Sequence, residues 1–369
     1  MPVLQRCCPD ALWEQAQSAY AESRFMEAAR LYSRLLRSLP RGSSEWYTCQ
    51  LHRAHCLRLA GFFRRAAQLY RELSRVPIES DALTDTLVGQ ALALRALGQL
   101  RHARSLLEKA LQDYRQRHDT EGIVHTLWAL GTTLRFAGDF RTASTYLLEA
   151  LALQRRFRLG SPTYLLCALG GLSRMRGAVQ RSLAYYQRAH TWALREDDTF
   201  AIAYSACGIA NAYRLLSDWD AAHHYFAIAR LHYEMIQDRV SYAYTLWGEA
   251  MAHLLQHHWE QADELCTTAE TLFRQTEDRR GLLHIVLLRL QFQTLHSARP
   301  SAERARVLRR ALSWSRRYGY RFEELHLRLL GTLMGILPDS LHALRRAYSE
   351  CGSRWLARLP ALELPLNFP

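Results

Sequence analysis

Residues 127–150 read LWALGTTLRFAGDFRTASTYLLEA, and this stretch decides the fold. Leu127, Leu130, Gly131 and Leu134 recur at the three- and four-residue spacing that places side chains on one face of a helix. Gly138 then interrupts the pattern, and Ala143, Leu147 and Ala150 mark one face of a second helix. Gly131 and Ala143 are small enough to let the two backbones approach closely. A hairpin this short cannot bury its own apolar face, so it must stack against further copies of itself.

The copies are present. The small residue that opens the second helix recurs as Ala28, Ala66, Ala103, Ala143, Ser182, Ala222 and Ala262, at intervals of 37 to 40 residues. The turn residue before it is Ser23, Gly61, Gly98, Gly138, Gly177, Ser217 and His257. Two residues after each turn stands an apolar side chain: Phe25, Phe63, Leu100, Phe140, Val179, Trp219 and Trp259. Three columns in register over seven copies predict an all-α chain of helix-turn-helix hairpins.

The pattern resembles the tetratricopeptide repeat (TPR) family over roughly residues 9 to 317. The family's small–small–aromatic signature is carried by sets such as Ala16/Ala28/Tyr32, Ala54/Ala66/Tyr70, Gly170/Ser182/Tyr186 and Ala210/Ala222/Phe226. The period near 40 exceeds the usual 34 and looks like the longer-repeat branch found in bacterial peptide-sensing regulators and adaptors. The resemblance implies a right-handed α-solenoid, or superhelix, whose concave surface binds ligands. The expected division is a lead-in over 1–8, seven repeats over 9–281 and a degenerate eighth over 282–318. A capping helical pair over 319–359, with helices at 322–336 and 339–358, and an extended Pro-rich tail over 360–369 complete it. A frayed tail is the expectation, with docking in the chain's own groove as the alternative. Asp10 is expected to cap the first helix.

A solenoid escapes the usual division of 369 residues into two or three domains, because each repeat contacts only its neighbours. The sequence offers no run of 18 uncharged apolar residues, and MPVLQRCCPD at the start has no apolar signal core. No membrane association and cytoplasmic residence are the expectation. Eight cysteines without a CxxC pair point to free thiols in a reducing compartment, with Cys167 and Cys207 reachable from the groove. The net charge is +13, and Lys109 is the only lysine. Such arginine usage fits a GC-rich genome, and equally fits anion recognition, because the planar guanidinium suits carboxylates and phosphates.

Position refines that choice. Three residues before the turn residue stand Arg58, Arg95, Arg135, Arg174 and Arg214, in five consecutive repeats. They share one helical phase on the stripe expected to face the concave surface, with neighbouring first helices about 10 Å apart. The same stripe carries Trp128, Tyr164, Tyr204, Tyr244 and Trp247. Asn211 resembles the asparagines that grip peptide backbone in related proteins. Within this part of repeats two to six the only acid is Asp85. Two readings stand: a guanidinium ladder for an anionic ligand, or arginines that complement the negative ends of their helices.

Motifs for catalysis are missing: no phosphate loop, dinucleotide fingerprint or nucleophile elbow occurs. His253 and His257 share a helix with Glu249, but without the HExxH order, so neither a metal nor a cofactor is expected. Nucleic acid is not an expected partner, since no reader motif accompanies the charge. The sequence therefore points to an interaction protein, not an enzyme. It would hold an acidic or phosphorylated segment of a protein or peptide partner. The alternative is a sensor of a small peptide or small anionic metabolite. A helper enzyme of unrevealed chemistry is a third class.

Overall fold

The computed structural model describes residues 9–77, 80–296, 301–359 and 361–369. Cys7 and Cys8 fall outside them. The first four hairpins are α1 (Pro9–Ala21) with α2 (Phe25–Leu35), α3 (Ser44–Leu59) with α4 (Phe63–Leu73), α5 (Ser80–Ala96) with α6 (Leu100–Gln116), and α7 (Thr120–Ala137) with α8 (Phe140–Phe157). Next come α9 (Thr163–Met175) with α10 (Val179–Arg195), α11 (Thr199–Leu215) with α12 (Trp219–Met235), and α13 (Arg239–Leu255) with α14 (Trp259–Gln275). Then follow α15 (Arg279–His296), α16 (Ala302–Tyr318), α17 (Arg321–Leu333) and α18 (Leu341–Glu350). The described residues contain no strand, and no described helix is long and apolar enough to cross a membrane.

The first seven hairpins end their first helix in the same way. Ser23, Gly61, Gly98, Gly138, Gly177, Ser217 and His257 all adopt positive φ, between 60° and 83°. One residue in this left-handed conformation satisfies the last helical carbonyls and reverses the chain, which glycine does without steric cost. At two of these seven turns an aspartate follows at once and caps the next helix. Asp139 accepts from the Thr142 amide at 3.1 Å, and Asp218 accepts from Ala221 at 3.2 Å. The turns between repeats use the same two-residue device at His118–Asp119 and Asp197–Asp198. Stop and start signals thus occupy adjacent residues, and the repeats stack without slack.

Odd-numbered helices α3 to α17 each touch the next odd helix, so they form an inner layer with the even helices outside. Small residues set the crossings, as expected for Gly131 and Gly170: a Cβ on Gly170 would lie 2.8 Å from the Tyr186 ring.

The superhelix then closes on itself, since α17 packs against α7. The Phe140 and Phe322 rings meet edge to face at 4.8 Å. The Phe140 amide donates to the Cys351 carbonyl, and the Arg354 amide to that of Arg176, both at 3.1 Å. The turn glycines make this closure fit: a Cβ on Gly177 would stand 2.8 Å from the Trp355 Cα.

Three expectations need correction. Asp10 lies inside the first turn of α1, which begins at Pro9, and so is not its cap. The helix expected over 339–358 stops at Glu350, because Gly352 at φ 84° turns the chain into a short 3₁₀ segment, Leu356–Arg358. The tail is not frayed: Leu366 and Phe368 are 2% and 1% exposed.

Candidate functional site

The inner layer encloses one large cavity of about 1340 Å³, lined from Tyr20 in the first hairpin to Tyr320 before α17. Ten of the eleven residues singled out in the sequence line it: Arg58, Arg95, Arg135, Arg174, Asn211, Trp128, Tyr164, Tyr204, Tyr244 and Trp247. Arg214, the fifth rung, does not. It is fully buried, and its guanidinium donates to the Phe368 carbonyl at 2.9 Å, to Asn211 Oδ1 at 3.1 Å and to Asn367. The docked tail therefore covers the top of the ladder. Arg214, not the tail, engages Asn211, whose amide nitrogen donates to the Cys207 carbonyl at 2.9 Å.

The other four arginines lack carboxylate partners. None takes part in a salt bridge among the described residues. Nε of Arg58, Arg135 and Arg174, and Nη1 of Arg174, are buried without a hydrogen bond within the chain. Burial, then the charges of Arg135 and Arg58, push the Arg95 guanidinium far below its usual range. Burial, with Arg58 and Arg95 beside it, takes the His125 imidazole down to about 4. These guanidinium groups are desolvated and feel one another, the arrangement that makes an uncompensated charge costly. A helix terminus alone would not require this crowding in a shared cavity.

Aromatic rings stabilise two of the four, Arg95 and Arg135. Phe136 is flanked by Arg95, Arg135 and Arg280, with guanidinium carbons 5.5, 5.5 and 4.7 Å from its centroid. Arg280, unlike the ladder, is neutralised by Glu323 at 2.6 Å. Phe136 and Arg280 escaped the sequence reading: the first stands one position beyond the recurrent arginine, and the second joins only through closure. The tyrosines reach towards the next repeat's aspartate. The Tyr164 hydroxyl donates to Asp198 at 2.7 Å, and Tyr244 to Asp278 at 3.2 Å. With Glu121, Glu196 and Asp197 these aspartates add acidic groups to the lining. Trp247 packs deeper than expected, 4% exposed, with its indole N–H on the His284 carbonyl at 3.1 Å.

The six described cysteines are unpaired. Cys207 lines the cavity as expected. Cys167 does not: it is completely buried, because its helix α9 is sheathed on almost every side.

Outside the cavity, His223, Glu249 and His253 bring three ligand atoms within 4.8 Å of one another. The sequence reading, which paired His253 with His257, set metal binding aside; the contact between α12 and α13 supplies His223 instead.

Residues 83–156 match the sequence model of the tetratricopeptide repeat. No curated protein matches the chain. Among solved structures, a Rap protein complexed with competence and sporulation factor superposes with TM-score 0.68 at 12% identity, covering 95% of this chain and 98% of that one. The Rap conjugation gene regulator of plasmid pLS20, in complex with the Phr* peptide, gives 0.57 at 13% identity, over 84% and 95%. NprR in complex with its cognate peptide NprX gives 0.56 at 14% identity, over 91% and 100%. The chain is an all-α solenoid, similar in fold to the Rap and NprR proteins, and its residues 83–156 match the tetratricopeptide repeat.

Proposed function

We propose that the chain is a non-enzymatic peptide-binding regulator or adaptor whose cavity takes a short acidic or phosphorylated peptide. The observation that carries this reading is the set of four cavity arginines without carboxylate partners. Anionic groups would relieve their mutual repulsion and satisfy the buried N–H groups, each such hydrogen bond contributing about 1.5–3 kcal/mol. The volume, about 1340 Å³, exceeds the 300–1,000 Å³ usual for drug-sized ligands and suits a peptide of several residues. Closure of α17 onto α7 favours a short ligand over a long extended segment. The acidic lining at Asp198 and Asp278 would meet a peptide's amino terminus or basic side chain. That three similar folds were solved with a peptide or factor bound agrees with this reading.

The test is calorimetry with a library of short acidic and phosphorylated peptides at two salt concentrations. The best binder should lose tenfold or more in affinity in Arg135→Ala/Arg174→Ala, with the helical signal intact, and should weaken as salt rises. Equal affinity in the double variant, without salt dependence, would move the ligand elsewhere.

A further inference from the structure

We propose that His223, Glu249 and His253 form a site for a divalent transition-metal ion, zinc by donor type, that clips α12 to α13. The three donors come from two helices of successive repeats, and their ligand atoms already lie within 4.8 Å of one another. The His223 and His253 ring centroids are 4.5 Å apart, with planes inclined by 39°. Donors on one tetrahedral zinc, each about 2.0–2.1 Å from the ion, stand roughly 3.3 Å from each other. Side-chain rotations of about an ångström close that difference without moving either helix. Two imidazoles and one carboxylate are a donor set that zinc takes, with a fourth position left over.

The surroundings fit this role. Glu249 Oε2 accepts from the Arg230 guanidinium at 3.2 Å, which orients the carboxylate and leaves Oε1 for an ion. Its side chain is 10% exposed, whereas both histidines are half-buried, so an ion can enter from solvent. The Gln256 amide sits 2.8 Å from His223 Nε2. His258 faces His253 at 3.4 Å between Nδ1 atoms but lies outside the three-donor set, which leaves the fourth position to water. None of the three donors lines the cavity, so the site is separate from the arginine ladder. An ion here would fix the stacking of the sixth repeat on the seventh, and with it the local pitch of the solenoid.

The experiment uses the full chain, stripped with a chelator and titrated with zinc by calorimetry. Cobalt(II) serves as a visible reporter of four-coordinate geometry. Wild type should bind one ion per chain tightly and unfold at a higher temperature with zinc than without. His223→Ala/His253→Ala should weaken that site at least about a hundredfold and abolish both the thermal shift and the cobalt band. Glu249→Gln, which keeps the shape, should weaken it and leave the fold intact by circular dichroism. His257→Ala should bind as wild type does. Zinc binding unchanged in the double variant, or no stoichiometric binding by wild type, overturns the proposal.

Discussion

The guanidinium of Arg214 donates to the carbonyl oxygen of Phe368 across 2.9 Å, while the Asn367 amide returns a hydrogen bond to the Arg214 carbonyl at 3.0 Å. A recurrent arginine of the inner layer is thereby tied to the chain's penultimate residue. Burial and the neighbouring Arg174 push this guanidinium far below its usual range, so its neutral acceptors must be held firmly. The Phe368 ring supplies the grip: it lies 4.5 Å from His326 and 5.5 Å from Trp355.

Removing that ring should release the tail. Phe368→Ala is expected to cost roughly 3 kcal/mol, the low end for truncating a buried phenylalanine, because this one sits at a chain end. Urea unfolding should show a lowered midpoint, and limited proteolysis should cut after 359 in the variant alone. Unchanged stability together with protease resistance would mean the tail contributes nothing to closure.

The closure also predicts a difference between two glycines of similar backbone. Gly177 and Gly319 have φ 78° and 72°, but only Gly177 has backbone in the way, with the Trp355 Cα at 2.8 Å; Gly319 faces open space. Both alanine variants carry the left-handed penalty of about 1–2 kcal/mol. Gly177→Ala should cost at least about 1 kcal/mol more, through overpacking. Equal losses in thermal or urea unfolding would show that the 353–358 segment does not press on this turn.

Acid should weaken the C-terminal half in a stated order. Burial, then Arg280, lowers the His284 imidazole to about 4, and burial takes His326 to about 3. The unfolded chain binds these protons at a higher pH than the folded one, so stability falls as pH drops below about 6.5. At pH 5 the loss is about 2 kcal/mol for each histidine. Burial would raise the Glu323 carboxyl, but the Arg280 charge, with His284 also close by at 3.5 Å, outweighs it and holds it at about 2. Its contribution is complete above the ordinary carboxylate range and is lost as pH falls from about 4.5 towards 2. Urea midpoints at pH 7, 6 and 5 should decline in wild type and less steeply in His326→Gln; a flat profile would contradict the burial of neutral imidazoles.

Thiol chemistry gives a direct view of the cavity. Among the six described cysteines only Cys207 is partly exposed, and burial pushes the Cys49, Cys56 and Cys266 thiols up to about 12. Native alkylation followed by mass spectrometry should modify Cys207 well ahead of the other five, and a cavity-bound peptide should slow it. Labelling of Cys167 at a comparable rate would mean that α9 is not sheathed as described.

What the sequence determined by itself was everything periodic. The seven turn residues, the small residues at the helix crossings and the phase of Arg58, Arg95, Arg135 and Arg174 follow from local spacing, because helix geometry converts residue number into direction. Those features repeat, and repetition makes them legible. The tertiary structure alone decided what happens once. The superhelix returns to meet itself, so that Phe322 finds Phe140 and Trp355 covers Gly177. The tail takes Arg214 out of the ladder, and the crossing of α12 with α13 substitutes His223 for His257 beside Glu249. Such contacts join residues 26 to 182 positions apart, and they depend on the accumulated pitch of many stacked hairpins. No local spacing encodes that sum; each repeat adds a small rotation, and only the folded whole fixes where the end arrives.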